Sequence, residues 1–461
     1  MGRARVWNAL LNLENRKVLV VGLAKTGVAV AHFLKKRGAR VTVTDLKNKD
    51  ELGSYAEDVL AIGISLSLGG HETGDFMDSD LIVLSPGVPH TIAPLEKARG
   101  AGIPVIGEIE LASRYIEEPI VAVTGTNGKT TTTSLIGEML QASGQNVFVG
   151  GNIGAPLIGY VETGMRADTI VAEISSFQLD TIEHFKPEVG LLLNITEDHL
   201  DRYDSFEQYV QSKGRLFENQ ESSDVAILNA QDPAVCQLEG QITSRRLYFN
   251  GPQTTHGAVI QDKEIVCNLP GKAPAVFSLA GFRLEGRHNA ENAAAASLAA
   301  LVAGGKQSGI QAALDTYKGL HHRMERVKSG GGVHYYNDSK ATNVDAVKRS
   351  LESFEANVIL IMGGRDKGGS YAVLESLIRK RVKRLITMGE ARDKILKALG
   401  RLTQTEETET LAEAVSLAHK AATRGDVVLL SPGCSSFDQF TDYVERGEAF
   451  VKAVEALTID D

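Results

Sequence analysis

One segment constrains the fold of this chain more than any other, the run Val-Ala-Val-Thr-Gly-Thr-Asn-Gly-Lys-Thr-Thr at residues 121–131. The apolar residues 120–123 predict a strand, and a helix is expected to begin near Thr131. A glycine-containing turn between a strand and a helix directs backbone N–H groups at one point, where they can hold an anion. In such a loop Lys129 could reach the outer phosphates of a nucleoside triphosphate, and Thr130 could bind Mg²⁺. The loop residues considered for phosphate binding are Gly125, Thr126, Asn127, Gly128, Lys129, Thr130 and Thr131.

The loop departs from the full phosphate-loop pattern at one position, because Val123 stands where that pattern has glycine. We therefore interpret it as a shortened cradle. Triphosphate binding is the favoured interpretation, and an ordinary glycine-rich turn between strand and helix is the alternative.

Short apolar runs alternate with helical patterns along the chain, which predicts an α/β protein built on parallel sheets. A length of 461 residues suggests roughly three domains of ~150 residues. We expect a Rossmann-like N-terminal domain, a central phosphate-loop ATPase-type domain with a mostly parallel sheet, and a Rossmann-like C-terminal domain. Their predicted bounds are 1–107, 108–319 and 320–461.

The first domain opens with a βαβ pattern in which the loop from Gly22 to Gly27 follows a strand and Asp45 ends the next one. Ala24 replaces the second glycine of the dinucleotide-binding fingerprint. A bound dinucleotide is therefore not favoured.

Composition indicates which cellular compartment and which classes of binding partner to expect. The net charge of −9 argues against nucleic acid as a partner, and three widely spaced cysteines suggest a reducing compartment. No apolar run approaches the ~18 residues that a membrane span needs. The first residues lack a signal-peptide pattern, and Val6 does not fit a lipidation motif. We expect a cytoplasmic protein, by default a monomer.

Three residues of the middle domain are candidates for metal or phosphate chemistry. Glu173 follows an apolar strand and could hold Mg²⁺ through oxygen, although a solvated strand end is the alternative. His199 follows another strand, and it could be a metal ligand or a surface histidine paired with carboxylates. Lys213 lies in a predicted helix and, taken alone, is most simply an exposed lysine.

Further candidates lie later in the chain. Asn289 and Asn292 share a face at a helix start, where they could contact a purine or cap the helix. Arg323 could neutralise a phosphate or lie at the surface. Cations and hydroxyls at three strand ends suggest an anion pocket. The cations are Lys340 and Lys367, and the third strand end carries Ser435, Ser436 and Phe437, where hydroxyls and backbone N–H groups could complete the pocket.

Several motifs together resemble the Mur ligases of peptidoglycan synthesis, in order and over nearly the whole chain. They are Thr-Gly-Thr-Asn-Gly-Lys-Thr-Thr, Glu-Ile-Ser-Ser-Phe-Gln, Asn-Ile-Thr-Glu-Asp-His-Leu-Asp-Arg, Arg-His-Asn-Ala-Glu-Asn, His-Arg and Asn-Asp-Ser-Lys-Ala-Thr-Asn. The late Leu-Leu-Ser-Pro-Gly-Cys-Ser-Ser-Phe-Asp-Gln-Phe is similar to that of members that add D-glutamate, and the diaminopimelate-type signature Asp-Asn-Pro-Arg is absent. A shortened phosphate loop is normal in this family.

The resemblance implies two Mg²⁺ sites. Thr130 and Glu173 resemble the ligands of the first ion. His199 resembles a ligand of the second, together with Lys213, at the position that family members carbamylate. Lys129, Lys213, His199 and Glu173 are accordingly the expected catalytic residues.

The resemblance also implies three binding regions. Beyond the phosphate loop, the expected ATP-binding residues are Asn289, Asn292, Arg323 and Asp338. The residues expected to contact the UDP-sugar substrate are Gly22, Gly27, Asp45, Gly87 and Asn152. The residues expected at D-glutamate are Lys340, Thr342, Lys367, Ser436 and Phe437.

The activity implied is an ATP-dependent, ADP-forming ligation of D-glutamate to UDP-N-acetylmuramoyl-L-alanine through an acyl phosphate, a cytoplasmic step of bacterial cell-wall synthesis that supports cell shape and division. A folylpolyglutamate synthase-like ligase shares the fold and route, but Asp45 and the Ser-Pro-Gly-Val turn at residues 85–88 favour a nucleotide sugar. A non-catalytic nucleotide-binding regulator is the other alternative. The retained catalytic candidates argue against it.

Overall fold

A computed structural model describes residues 11–199, 202–252, 256–284, 286–355 and 357–458. The start of the chain, including Val6, lies outside these ranges. The described residues form three sheets of five, nine and six strands, most of whose neighbouring strands are parallel. The prediction of an α/β protein with three parallel-sheet domains is therefore confirmed.

The first sheet has the strand order β3-β2-β1-β4-β5, and every pair in it is parallel. This is the order of the first five strands of a Rossmann fold. Its strands are β1 (Lys17–Val21), β2 (Arg40–Asp45), β3 (Ser65–Leu68), β4 (Leu81–Leu84) and β5 (Val105–Gly107). The helices of this region are α1 (Lys25–Lys36), α2 (Lys49–Leu52), α3 (Ser54–Ala61), α4 (Thr73–Met77), α5 (Ala93–Gly100) and α6 (Glu108–Ser113).

Glycine at position 27 allows α1 to pack closely on the loop after β1. A Cβ atom there would lie 2.1 Å from the carbonyl oxygen of Gly22, a distance that no side chain can adopt. Gly27, at the end of the predicted loop, therefore has a packing role.

The second sheet has the order β14-β13-β12-β11-β10-β9-β6-β8-β7. Its strands are β6 (Ile120–Thr124), β7 (Val147–Gly151), β8 (Thr169–Glu173), β9 (Val189–Leu192), β10 (Val225–Asn229), β11 (Arg245–Phe249), β12 (Gly257–Gln261), β13 (Glu264–Asn268) and β14 (Ala275–Ser278). Its helices are α7 (Lys129–Ala142), α8 (Leu157–Thr163), α9 (Ser176–Leu179), α10 (Phe206–Gly214), α11 (Pro233–Gln237), α12 (Arg287–Val302) and α13 (Gln307–Thr316). Short 3-10 helices span Arg215–Phe217 and Glu239–Gln241.

One end of this sheet differs from the predicted alternation of strands and helices. Strands β12, β13 and β14 are antiparallel neighbours with no helix between them. Gln261 pairs with Glu264, so only two residues form the turn, and Asp262 adopts a φ of 52° there. Aspartate tolerates this left-handed conformation, which two-residue hairpins require. The turn residues Asp262 and Lys263 lack the glycine that usually marks such a hairpin in a sequence.

The third sheet has the order β15-β16-β20-β17-β18-β19, with only the β15–β16 pair antiparallel. Its strands are β15 (Glu325–Gly330), β16 (Val333–Asn337), β17 (Val358–Gly363), β18 (Val382–Met388), β19 (Gln404–Glu407) and β20 (Val427–Leu430). Its helices are α14 (Val344–Glu352), α15 (Glu375–Arg381), α16 (Arg392–Leu399), α17 (Leu411–Ala421) and α18 (Tyr443–Glu455), with a 3-10 helix at Tyr371–Leu374. Alternate residues of β17 enter two separate apolar clusters, Leu360 in one and Ile359 in the other.

Contacts divide the chain into two compact units. One unit contains the chain up to Ile195 together with Glu207–Ala280 and Ala293–Leu314, and so holds the first two sheets. The other contains Thr196–Phe206, Gly281–Asn292 and the chain from Asp315 onward. The predicted domain bounds stay a proposal, supported by the end of β5 at Gly107 and the start of β15 shortly after Gly319. In the described ranges, no helix is long and apolar enough to cross a bilayer.

Candidate active site

The phosphate loop lies between β6 and α7, and β6 is an interior strand of the second sheet, flanked by β9 and β8. Gly125 has a φ of 152° and Gly128 a φ of 83°, conformations that residues with a Cβ rarely adopt. Because Gly128 turns the chain at the N-cap, α7 begins at Lys129, two residues earlier than predicted. The loop therefore leads directly into a fourteen-residue helix, whose N-terminal dipole favours an anion.

Asn194, just beyond β9, fixes the shape of this loop. Its carbonyl oxygen accepts a hydrogen bond of 2.8 Å from Thr126 N. Its side chain bonds to both backbone groups of Asn127, accepting from N at 2.8 Å and donating to O at 3.0 Å. The sequence assigns Asn194 no role, because nothing local indicates that a distant loop will meet it.

Two lysine side chains converge on one carbonyl oxygen of the loop. Lys129 Nζ donates to Gly125 O at 2.7 Å and to Thr126 O at 2.8 Å. Lys213 Nζ, from α10, donates to Gly125 O at 3.0 Å and lies 4.6 Å from the centre of the Tyr209 ring. Lys213 is only 1% exposed, so the simpler interpretation of a surface lysine is wrong.

Glu173 ends β8 beside the loop and is almost fully buried. Its Oε1 atom accepts a hydrogen bond of 2.7 Å from Asn152 Nδ2. Its Oε2 atom is buried and accepts no hydrogen bond from any residue in the described ranges. Burying such an oxygen is costly unless a cation or donor satisfies it, so Glu173 fits the role of a ligand for a hard cation such as Mg²⁺.

A cavity of about 520 Å³ opens beyond the carboxyl ends of the first sheet. Four of the five residues expected to contact the nucleotide-sugar substrate line it: Gly22, Asp45, Gly87 and Asn152. Gly27, the fifth, is not part of this lining and instead packs against Gly22. A cleft at this edge is the usual ligand site of an open α/β sheet.

Asp45 shapes the wall of the cavity with both of its carboxylate oxygens. Oδ2 accepts from Leu23 N at 2.7 Å and Oδ1 from Lys47 N at 2.9 Å. His71 also lines the cavity, with Nδ1 at 3.0 Å from the hydroxyl of Thr44. Burial lowers the pKa of His71, so this ring is neutral near pH 7. His71 was not among the predicted residues.

In the second unit, His199 belongs to a small cluster around Asp198. The backbone of His199 has a φ of 55°, and its N donates to Asp198 Oδ1 at 2.9 Å. Asn343 Nδ2 donates to Asp198 Oδ2 at 3.0 Å, and Lys367 Nζ lies 3.8 Å from Asp198 Oδ1. Asp198, Asn343 and Lys367 line one narrow cleft.

Asp338, predicted at ATP, follows β16 and is buried. It accepts hydrogen bonds from the hydroxyls of Ser350 and Ser431 and from Met324 N. Burial raises its pKa to about 6 in spite of these bonds and of the nearby Arg323 guanidinium. Asp338 thus anchors the backbone next to Arg323.

The remaining predicted residues occupy varied environments. Lys340 Nζ lies 3.8 Å above the ring of Tyr443, a contact that was not foreseen. Ser436 is buried, whereas the side chain of Phe437 is 61% exposed. Thr342 is half-buried and lies outside the narrow cleft lining. Asn289 and Asn292 are both buried in the first turns of α12.

Three protein-family models match consecutive parts of the chain. They are the Mur ligase MurD-like N-terminal domain at residues 16–107, the Mur ligase middle domain at 123–300, and the Mur ligase glutamate ligase domain at 322–434. The chain belongs to the Mur ligase family. Among full-length relatives of this Mur ligase, the UDP-N-acetylmuramoylalanine–D-glutamate ligase of Desulfosudis oleivorans is 52% identical, over 97% of this chain and 98% of its own. The enzyme of the same name from Geotalea daltonii is 49% identical, over 98% and 100% of the two chains.

Solved structures share the fold of this Mur ligase at lower identity. A pseudomurein peptide ligase type C of Methanothermus fervidus has a TM-score of 0.62 at 21% identity, covering 96% of this chain and 100% of its own. A folylpolyglutamate synthase of Mycobacterium tuberculosis has a TM-score of 0.57 at 13% identity, covering 76% and 93%. At such identities the likeness concerns the fold alone.

Proposed function

We propose that the protein is an ATP-dependent ligase that joins D-glutamate to UDP-N-acetylmuramoyl-L-alanine and releases ADP and phosphate. The relatives that carry this name match at about half of all positions over the full length. The observation that supports it best is the Asn152–Glu173 hydrogen bond. It joins a residue of the cavity suited to a nucleotide sugar to a carboxylate beside the phosphate loop.

The reaction we propose has two steps. The carboxylate of the substrate L-alanine attacks the γ-phosphorus of ATP, giving an acyl phosphate and ADP. The neutral amine of D-glutamate then attacks the acyl carbon, phosphate leaves, and the nitrogen releases one proton to solvent as the amide forms. Phosphoryl transfer requires positioning and charge neutralisation more than a protein nucleophile.

The chain supplies those two requirements through separate groups. Lys129 and the N-terminus of α7 would neutralise and orient the phosphates. Asn152 would hold the substrate near the loop while it orients Glu173. In the second unit, Lys367 and the hydroxyl of Ser436 are the groups that we propose for the carboxylates of D-glutamate.

Mg²⁺ would be held at one site by Thr130 and Glu173, and a carbamate on Lys213 would be a ligand of a second ion. When bound, it would lower the charge repulsion between ATP and the attacking carboxylate. The unsatisfied Glu173 Oε2 atom supports the first site. Carbamylation replaces a buried amine with a group whose oxygens can bind a metal ion. It keeps one N–H, which can still donate a hydrogen bond to Gly125 O.

The test is ADP release from a mixture of ATP, UDP-N-acetylmuramoyl-L-alanine and D-glutamate, with each component omitted in turn. Full turnover should require all three. Isotopic oxygen placed in the substrate carboxylate should appear in the released phosphate, because the acyl phosphate breaks at the carbon–oxygen bond. A folate substrate in place of the nucleotide sugar should give no ADP. ADP release that does not change when UDP-N-acetylmuramoyl-L-alanine or D-glutamate is omitted would contradict the proposal.

A further inference from the structure

A chain of polar contacts lies behind Lys367, in residues that the proposed chemistry does not use. Tyr371 OH donates to Asp366 Oδ1 at 3.0 Å, and Lys394 Nζ donates to Asp366 Oδ2 at 2.6 Å. The Cys434 thiol lies 3.1 Å from the same tyrosine oxygen. Tyr371 is 2% exposed and Cys434 is fully buried. These polar contacts therefore lead from Lys394 at the surface to residues of an apolar core cluster of the third sheet.

The direction of these hydrogen bonds follows from the chemistry of the groups. Burial tends to raise the pKa of Asp366, but hydrogen bonds from Lys394 and Tyr371 outweigh it and hold the pKa below the ordinary value. Asp366 is therefore a carboxylate near pH 7 and can only accept. Tyr371 must donate its one proton to Asp366, so its oxygen accepts from the Cys434 S–H. Burial raises the pKa of that thiol to about 11, which keeps it protonated.

These contacts connect two loops that each carry residues proposed for D-glutamate. Asp366 precedes Lys367 in the loop after β17, and Cys434 precedes Ser436 by two residues in the loop after β20. Paired backbone hydrogen bonds of 2.9 and 3.0 Å between Arg365 and Ser435 join the same loops. The side-chain contacts thus add a second connection, deeper in the fold.

We propose that Asp366, Tyr371 and Lys394 form a brace that positions Lys367 for the carboxylate of the amino-acid substrate. The inference rests on the proposed function for the identity of that substrate. Asp366 and Lys367 line the same narrow cleft, and Asp366 is held from one side by Tyr371 and from the other by Lys394. With three rotatable donors on a long stem, Lys367 needs a fixed backbone to act at one place. The three brace residues are positioning residues, since none is proposed to contact substrate.

The experiment compares Tyr371→Phe with Tyr335→Phe. Tyr335 is the matched control, because it is also a buried tyrosine of the third-sheet domain and its hydroxyl makes a 2.7 Å hydrogen bond, to His419 Nδ1, in the other apolar cluster. Each variant loses one hydroxyl and keeps the ring. Lys394→Gln, at a half-exposed position, weakens the brace without touching the core.

For Tyr371→Phe and Lys394→Gln we expect the KM for D-glutamate to rise about tenfold, the loss of one charged hydrogen bond, while the KM for ATP stays unchanged. Tyr335→Phe should change neither. An independent readout is the rate at which an amine-acylating reagent modifies Lys367. The folded enzyme is labelled first, then digested, and the labelled peptide is measured by mass spectrometry. This rate should rise in the two brace variants and not in the control.

Equal KM values for D-glutamate and equal Lys367 labelling in Tyr371→Phe and Tyr335→Phe would overturn the brace. A wild-type enzyme that does not respond to D-glutamate would overturn the proposed function instead. In that case the Lys367 labelling rates still decide whether the brace exists.

Discussion

Asn152 Nδ2 lies 2.7 Å from Glu173 Oε1, so a residue that lines the cavity at the first sheet also holds a carboxylate of the phosphate-loop sheet. The pairing of strands β7 and β8 explains why the two residues are close. Gly151, the last residue of β7, pairs with Glu173, the last of β8, which places the next residue at the shared edge. The cavity that we propose for the nucleotide sugar and the phosphate loop are thereby connected within one compact unit.

Asn152→Ala should impair both subsites. It removes a donor to a buried charged group, an interaction worth about 1.5–3 kcal/mol, so kcat/KM for the nucleotide sugar should fall roughly 10- to 100-fold. The Mg²⁺ concentration for half-maximal rate should also increase. Asn146→Ala is the control, because its side chain donates to the backbone carbonyl of the exposed Arg166. Similar kinetics for the two variants would show that the Asn152 amide has no such role.

Lys129→Ala should abolish ADP formation while leaving the fold intact. The ammonium lies at the phosphate loop, where it would offset charge that develops during transfer, and such groups contribute roughly 100-fold or more in kcat. Circular dichroism and thermal unfolding check the fold. The control is Lys36→Ala, at an exposed position near the end of α1. Near-normal turnover in Lys129→Ala would remove this loop from the proposed site.

Lys213→Arg should be almost inactive, because a guanidinium cannot form the carbamate and is too large for a residue that is 1% exposed. Wild-type enzyme kept with isotopically labelled bicarbonate should show a labelled carbamate in its NMR spectrum, and the arginine variant should not. Activity close to wild type in Lys213→Arg would rule out the second metal site as proposed.

Glu108 should make stability depend on pH. It is buried at the start of α6, and burial raises its pKa to about 7, above the 4.5 of an unfolded chain, despite hydrogen bonds from the backbone of Ile158 and Leu157. The folded state therefore holds a proton that the unfolded state releases between pH 4.5 and 7. Stability from this group falls as pH rises through that window.

Glu108→Gln removes this titration. The variant should be more stable than wild type at pH 8, by at most about 3 kcal/mol, and gain nothing at pH 4.5. Urea unfolding at the two pH values measures the difference. Glu110→Gln provides the contrast, because Glu110 Oε2 accepts from three backbone N–H groups and Oε1 accepts from Arg114, so its neutralisation should destabilise. An equal effect of Glu108→Gln at both pH values would refute the prediction.

Sequence patterns predicted the parts of this molecule that depend on local order. Apolar strands followed by polar turns gave the three-sheet class, and strand ends gave the edges at which Gly22, Asp45 and Glu173 lie. The patterns did not show which distant groups meet. The Asn194–Asn127 pairing, the Lys340–Tyr443 contact and the burial of Lys213 all depend on tertiary packing. For the same reason, the sequence does not reveal the close packing of Gly27 against Gly22.

The Asn194 contacts have a consequence for the kinetics of nucleotide binding. Three hydrogen bonds from one residue hold Thr126 and Asn127 in place, so the loop is ordered when the protein folds. Fixing the backbone of each residue costs about 1–2 kcal/mol of conformational entropy, and here folding has already met that cost. The binding free energy of the triphosphate is then not reduced by the entropy of ordering the loop. Nucleotide association should therefore follow a single phase, without a slow step for loop ordering.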